Sequence, residues 1–167
     1  NNLITVCINF DQYNNPINVP KSTFFSDYYI DIENEITGLS WYSQFNKKIS
    51  FDSYENRSFN YKSVLIDYIF GKKVSFKKGF IKNEKYIFNI IKNYNELTIF
   101  ENNLSKKYPL HGDLSIDNII FVNSEIFIID WQYFNLIDIP FGFDILNLIF
   151  EQFYFDYLSL NQNYINK

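Results

Sequence analysis

"HGDLSIDNII", residues 111–120, holds the only histidine of the chain, in the spacing His111-x-Asp113-x-x-x-x-Asn118. Downstream, "IFIIDW" (126–131) ends an apolar run on Asp130. The runs "NIIFV" (118–122) and "EIFIID" (125–130) flank a turn at Asn123–Ser124, a spacing that predicts a β-hairpin. A tight loop enters the first strand of that hairpin, so Asp113 falls in the loop and Asn118 at the strand start. The hairpin then returns the chain and presents Asp130 at the end of its second strand.

Those three residue types suit one kind of chemistry. In phosphoryl transfer a carboxylate must meet the attacking hydroxyl, and a nearby side-chain oxygen must hold a magnesium ion. Asp113 is the candidate to face the acceptor. Asn118 and Asp130 would be two oxygen ligands on neighbouring strand ends, leaving positions for phosphate oxygens and water, as magnesium prefers.

Outward from the hairpin, the chain divides into a strand-rich front and a helical back. Residues 3–10 ("LITVCINF") read as a strand, and 11–16 ("DQYNNP") as a turn. Residues 17–24 ("INVPKSTF") read as a second strand, with Pro20 predicting an edge or bulge position. Residues 31–45 read as an amphipathic helix with Ile32, Ile36 and Leu39 on one face and Gly38 as its weak point. Strand-like runs at 49–54 and 61–70 surround a polar turn. Residues 81–100 then take helical period, with Ile87, Ile90, Ile91 and Tyr94 on one face, and Pro109 marks the end of that helix. An apolar helix is predicted over 142–158, beginning near Asp144. The fold class expected is α+β.

Composition bounds the partners. The 167 residues are 47% hydrophobic and 21% aromatic, enough for a sizeable core. Alanine and methionine are absent and Arg57 is the only arginine, which has the look of a coding bias rather than of function. Net charge is −4, and Lys72–Lys73 and Lys77–Lys78 make too small a basic cluster for a nucleic-acid surface. A lone cysteine, Cys7, rules out an internal disulfide and fits a reducing, cytoplasmic setting. No apolar run reaches the ~20 residues of a membrane helix, so no membrane insertion is expected. The start lacks a methionine and a basic signal region, and a fragment of a longer chain is expected.

The segment "HGDLSIDNIIF…IFIIDWQYF" (111–134) resembles the aminoglycoside phosphotransferase/choline kinase family, relatives of the protein kinases. "DIPFGFDILNLI" (138–149) is similar to the family's following segment, where an Asp begins a helix. The resemblance implies a reduced or truncated protein-kinase-like two-lobe fold. Residues 1–68 would be a small antiparallel-sheet N-lobe with one helix. Residues 69–167 would be a mainly helical C-lobe carrying the catalytic-loop hairpin. It implies an ATP- and magnesium-dependent kinase acting on a hydroxyl of a small molecule: an amino sugar, a choline-like amino alcohol or a sugar. Asp113 would be the catalytic base and Asn118 and Asp130 the magnesium ligands. His111 and Asp144 would brace the loop, with Asp144 also capping its helix. Asp117 reads as a solvated or loop-bonding residue, and Trp131 as a core aromatic or the floor of an acceptor pocket.

The same resemblance assigns the front half. Lys21 would grip the ATP phosphates, paired with Glu35, with Glu33 as second choice. The Asp67 carbonyl and the Ile69 amide, in "YKSVLIDYIFGK", would meet adenine. The sequence departs from the kinase pattern in two ways. None of the five glycines forms a Gly-x-Gly-x-x-Gly phosphate loop, and 71–110 is short for the segment that shapes the acceptor pocket. Those departures motivate the alternative of a non-catalytic nucleotide-binding pseudokinase, a scaffold, or a truncated kinase fragment. A metal-dependent hydrolase built on His111 is disfavoured, because a single histidine with no second His or Cys makes a poor transition-metal site.

Overall fold

The computed structural model describes residues 4–73, 79–105, 108–123, 125–137 and 142–165. Leu3, the Lys77–Lys78 pair, Ser124 of the hairpin turn, and 138–141 of the family-like segment lie outside these. The fold is α+β, and the described residues form antiparallel sheets and three α-helices. The chain forms two compact units: residues 1–70 with Trp131–Phe134, and residues 71–130 with 135–167. Among the described residues no helix is long and apolar enough to cross a membrane.

The first unit is a five-stranded antiparallel sheet carrying one helix. Its strands are β1 (Thr5–Val6), β2 (Asn9–Phe10), β3 (Pro16–Thr23), β4 (Phe51–Asn56) and β5 (Tyr61–Asp67). The spatial order is β1-β3-β5-β4, and β2 also pairs with β3. The run at 3–10 is thus two short strands, and the strand around Pro20 is central, not an edge. The proline explains both departures. The register Val6↔Lys21 sets Cys7 opposite Pro20, and the Cys7 N–H donates to the Pro20 carbonyl at 3.2 Å. Pro20 has no N–H to return, so the ladder lapses between β1 and β2. On its other side β3 pairs without interruption to β5, Pro20 facing Leu65.

Helix α1 (Tyr29–Tyr42) buries Ile32, Glu35, Leu39 and Tyr42 at helical spacing, together with Gly38 and Trp41. Trp131 and Phe134 complete this core. The Trp131 ring centroid lies 5.0 Å from that of Tyr42 and 5.7 Å from that of Trp41. Trp131 is fully buried, so it is a core aromatic of this unit. Gly38 is required by close approach: a Cβ there would sit 2.6 Å from the Trp131 Cβ and 2.9 Å from that of Phe134. In β5, burial alternates and falls on Lys62, Val64 and Ile66. Polarity therefore enters the covered face at Lys62, which pairs with Glu33 and, at 3.6 Å, with Glu55.

The second unit is led by two long helices, α2 (Gly79–Ser105) and α3 (Phe143–Ile165), longer than their apolar periods predict. They pack on Ile87, Ile90 and Leu148, and a buried hydrogen bond joins Asn83 Nδ2 to Gln152 Oε1 at 3.0 Å. Asp156 of α3 accepts the Ile81 N–H at 3.2 Å near the start of α2. Strand β6 (Lys72–Lys73) borders the hairpin of β8 (Ile119–Val122) and β9 (Glu125–Ile128), in the order β6-β8-β9. The remaining strands, β7 (Tyr108–Leu110) and β10 (Asn135–Ile137), pair with each other. Asn118 ends a 3-10 turn (Ile116–Asn118) just before β8, and Asp130 stands two residues beyond β9.

Candidate active site

The loop from His111 to Asn118 is held by groups on both of its sides. Asn118 Nδ2 donates to the Asp113 carbonyl at 2.9 Å and to Asp113 Oδ2 at 3.2 Å. The five-residue spacing read from the sequence thus closes into a ring of contacts. The Asn118 carbonyl accepts the Ile129 N–H at 3.0 Å, next to the pairing of Ile119 with Ile128. Asp130 is the next residue after this bond, at the open end of the hairpin. Asp130 has φ +68°, in the left-handed region where Asp and Asn are tolerated better than other side chains. Its backbone turns out of the strand direction at the residue that carries the carboxylate.

His111 ties the loop to the hairpin. Its ring is fully buried. Nδ1 accepts the Asp113 N–H at 3.3 Å, and Nε2–H donates to the Ile129 carbonyl at 3.0 Å. Those two bonds require the neutral tautomer protonated at Nε2. Burial lowers the imidazole below its ordinary value, opposed by the Asp144 charge, the Ile129 carbonyl, and the charges of Asp130 and Asp113. Both candidate carboxylates thus act electrostatically on one imidazole.

Asp144, in the first turn of α3, is buried and serves the loop. Oδ2 accepts the His111 N–H at 2.7 Å, and Oδ1 accepts the Gly112 N–H at 3.0 Å. Oδ2 also accepts the Tyr94 hydroxyl of α2. These donors, with the positive end of the α3 dipole, sustain a carboxylate in the interior. Its hydrogen bonds reach the loop and Tyr94. Asp144 and Leu148, four residues apart, share the buried side of α3, which turns the carboxylate inward toward the loop.

Two residues escaped the sequence reading. Tyr94 was read only as part of an apolar helix face, and its hydroxyl is the polar atom that this face delivers to Asp144. Burial first, then the Asp144 charge and hydrogen bond, push the Tyr94 phenol well above its ordinary value. Glu151 stands two turns along α3 from Asp144, half-buried, with Gln152 Nε2 donating to it at 3.4 Å. Burial raises its carboxyl above the usual range, and the charges of Asp117 and Asp113 act the same way, while Gln152 and the Ile116 amide lower it. The seven-residue spacing from Asp144 was the available signal.

In the first unit Lys21 Nζ lies 2.9 Å from Glu35 Oε2, and Glu35 is fully buried. Glu33 pairs instead with Lys62, whose ammonium also sits 5.5 Å above the Tyr29 ring. Asp67 ends β5, its N–H donating to the Ser50 carbonyl at 3.0 Å, and Ile69 lies just past the strand. Asp117 is half-buried within the 3-10 turn.

The donor set fits a hard divalent cation. Asn118 commits its Nδ2 to Asp113, which leaves Oδ1 as the atom able to ligate. With the Asp130 carboxylate it would offer such an ion two oxygen ligands. Among the described residues no group of three His, Cys, Asp or Glu side chains could hold a metal by itself. Two protein oxygens suit magnesium, which keeps water and phosphate oxygens in its remaining positions. No protein-family model matches the chain, and no curated protein matches it.

Proposed function

We propose that this chain is a magnesium- and ATP-dependent phosphotransferase of the protein-kinase-like, two-lobe type, acting on a hydroxyl of a small molecule. The observation that carries this reading is the pair of hydrogen bonds from Asn118 Nδ2 to Asp113, with the Ile129–Asn118 hydrogen bond one residue before Asp130. One carboxylate is thereby oriented through its own loop, and the Asn118 amide oxygen and the Asp130 carboxylate would serve as ligands.

When bound, ATP supplies the transferable phosphoryl group, and magnesium supplies the positive charge that offsets the phosphate oxygens. Asn118 Oδ1 and the Asp130 carboxylate would hold the ion. Asp113 accepts a hydrogen bond from the acceptor hydroxyl, aligns its oxygen and takes its proton. Lys21 would contribute a cation to the phosphates, with Glu35 fixing its ammonium, and the Asp67 carbonyl and Ile69 amide would receive adenine. The protein contributes positioning and charge rather than covalent chemistry. An amino sugar, an amino alcohol or a sugar is the acceptor class.

The test is turnover with ATP and magnesium across a panel of such acceptors, read by ADP release and by phosphorus NMR of the product. Asp113→Asn is expected to lower kcat by about 100-fold or more while leaving nucleotide affinity unchanged. Equal rates for the two proteins would remove Asp113 from the chemistry. Nucleotide binding without turnover on any acceptor would replace the catalytic reading with that of a pseudokinase.

A further inference from the structure

The outer face of α3 is unlike that of α2. The exposed positions of α2 include Lys82, Glu84, Lys85, Lys92 and Glu96, the mixture expected of a solvated helix. Over residues 143–158 of α3, no exposed position carries a charge. Asp144 is buried, and Glu151 and Asp156 are half-buried. What α3 exposes is Phe143 (55%), Leu146 (52%), Phe150 (68%), Phe153 (50%) and Tyr157 (61%). Their spacing is 3, 4, 3, 4, the seam of a heptad repeat, whereas the buried side of the helix faces α2. Tyr154 and Asn147 flank the seam.

The aromatic surface continues onto α2. Phe80 stacks on Phe153 with centroids 4.8 Å apart and meets Phe88 edge-on at 6.2 Å. Phe88 is 56% exposed, and Ile81 beside it is 75% exposed. A half-exposed aromatic side chain has about 100 Å² still to bury. The seam with Tyr154, Ile81 and Phe88 therefore offers roughly 700 Å² per copy, close to the ~800 Å² per partner of a standard stable interface. Contiguous apolar patches of this size mark association sites.

We propose that α3 is a homodimer seam, pairing with α3 of a second copy of this chain about a two-fold axis. A seam spaced as a heptad is complementary to itself, because the ridges of one copy fill the gaps of the other. Two copies each carrying −4 meet along a strip without charge, so the seam brings no like charges into direct contact. The strip also carries no charge by which a basic or acidic protein could be recognised. The proposal does not rest on the catalytic reading.

Sedimentation equilibrium from low to high micromolar concentration tests it. The expected result is a species of twice the 20.1 kDa chain mass. Phe150→Asp with Tyr154→Asp is expected to raise the dissociation constant about 30-fold or more, with unchanged circular dichroism. Phe59→Asp, at a side chain 75% exposed in the first unit, is the control and leaves the constant unchanged. A photo-crosslinking residue at position 150 gives a second measurement that needs no destabilising charge, and it should join α3 to α3. A monomer throughout overturns the proposal. So do a dimer indifferent to the combined Phe150→Asp and Tyr154→Asp change, and crosslinks confined to segments other than α3, which would assign the face to a different occupant.

Discussion

The Asp144 carboxylate spans the two backbone amides at the head of the loop, taking the His111 N–H at 2.7 Å on one oxygen and the Gly112 N–H at 3.0 Å on the other. One buried charge at a helix start thus sets the backbone from which Asp113 projects. Replacing Asp144 by Asn puts an NH₂ group where at least one donor now finds an acceptor. Expected is a loss of about 2–4 kcal/mol, measured by urea unfolding. Tyr94→Phe removes only one donor to the same carboxylate and should cost about 1–2 kcal/mol. An Asp144→Asn protein as stable as wild type would show that the bridge contributes nothing to the fold.

Stability should respond to acid through His111. Its folded value is lowered by burial, so the unfolded chain binds the proton more readily. The stabilisation is complete above the unfolded value of about 6.5 and is lost as the pH falls from there through the folded value. Because the chain has one histidine, imidazole NMR signals report it directly. They should titrate at a lower pH than an unfolded histidine, from the neutral Nε2–H form. A resonance titrating at the unperturbed value would contradict the buried clasp.

The Lys21–Glu35 pair allows a stability effect to be separated from a functional one. Lys21→Met leaves the buried Glu35 without this cation, and about 3 kcal/mol or more should be lost. Lys21→Met combined with Glu35→Leu replaces the pair by apolar volume and should recover most of that loss. Denaturant midpoints measure both. In the proposed function the double variant, though folded, stays slow with ATP; recovery of turnover would confine the pair to a structural role.

Gly38→Ala offers a check on the first unit alone. Alanine is favoured over glycine inside a helix by up to ~1 kcal/mol. The added Cβ, however, meets the Cβ atoms of Trp131 and Phe134, which have backbone behind them and little room to yield. Overpacking should win, with a net loss of about 1–2 kcal/mol visible as a lowered Tm. A raised Tm would mean that the aromatic pair moves aside at little cost.

What the sequence revealed was what lies close in the chain or repeats with a period. Asp113 and Asn118 are five apart, and their contact follows from one tight turn. Glu35 could be chosen over Glu33 because it shares the helix face of Ile32 and Leu39, and the structure joins it to Lys21. The resemblance alone pointed Asp144 toward the loop; its bond to Tyr94, 50 positions earlier, was not legible, because nothing local announces that a phenol on an apolar face will meet it. Pro20 misled for a different reason. A missing N–H rules out a continuous ladder, yet a central strand accommodates it where its neighbour breaks into two pieces. The pairing of Lys62 with Glu33 likewise depends on which strand lies beneath α1, a tertiary fact.

The gap opposite Pro20 also sets how the margin of the first sheet comes apart. Thr5–Val6 and Asn9–Phe10 are held by separate short pairings, so each can peel away without unzipping the other or disturbing the six-residue register between β3 and β5. Deuterium should therefore enter the amides of residues 5–10 through small local openings long before it reaches β5, whose protons wait for the whole sheet to yield.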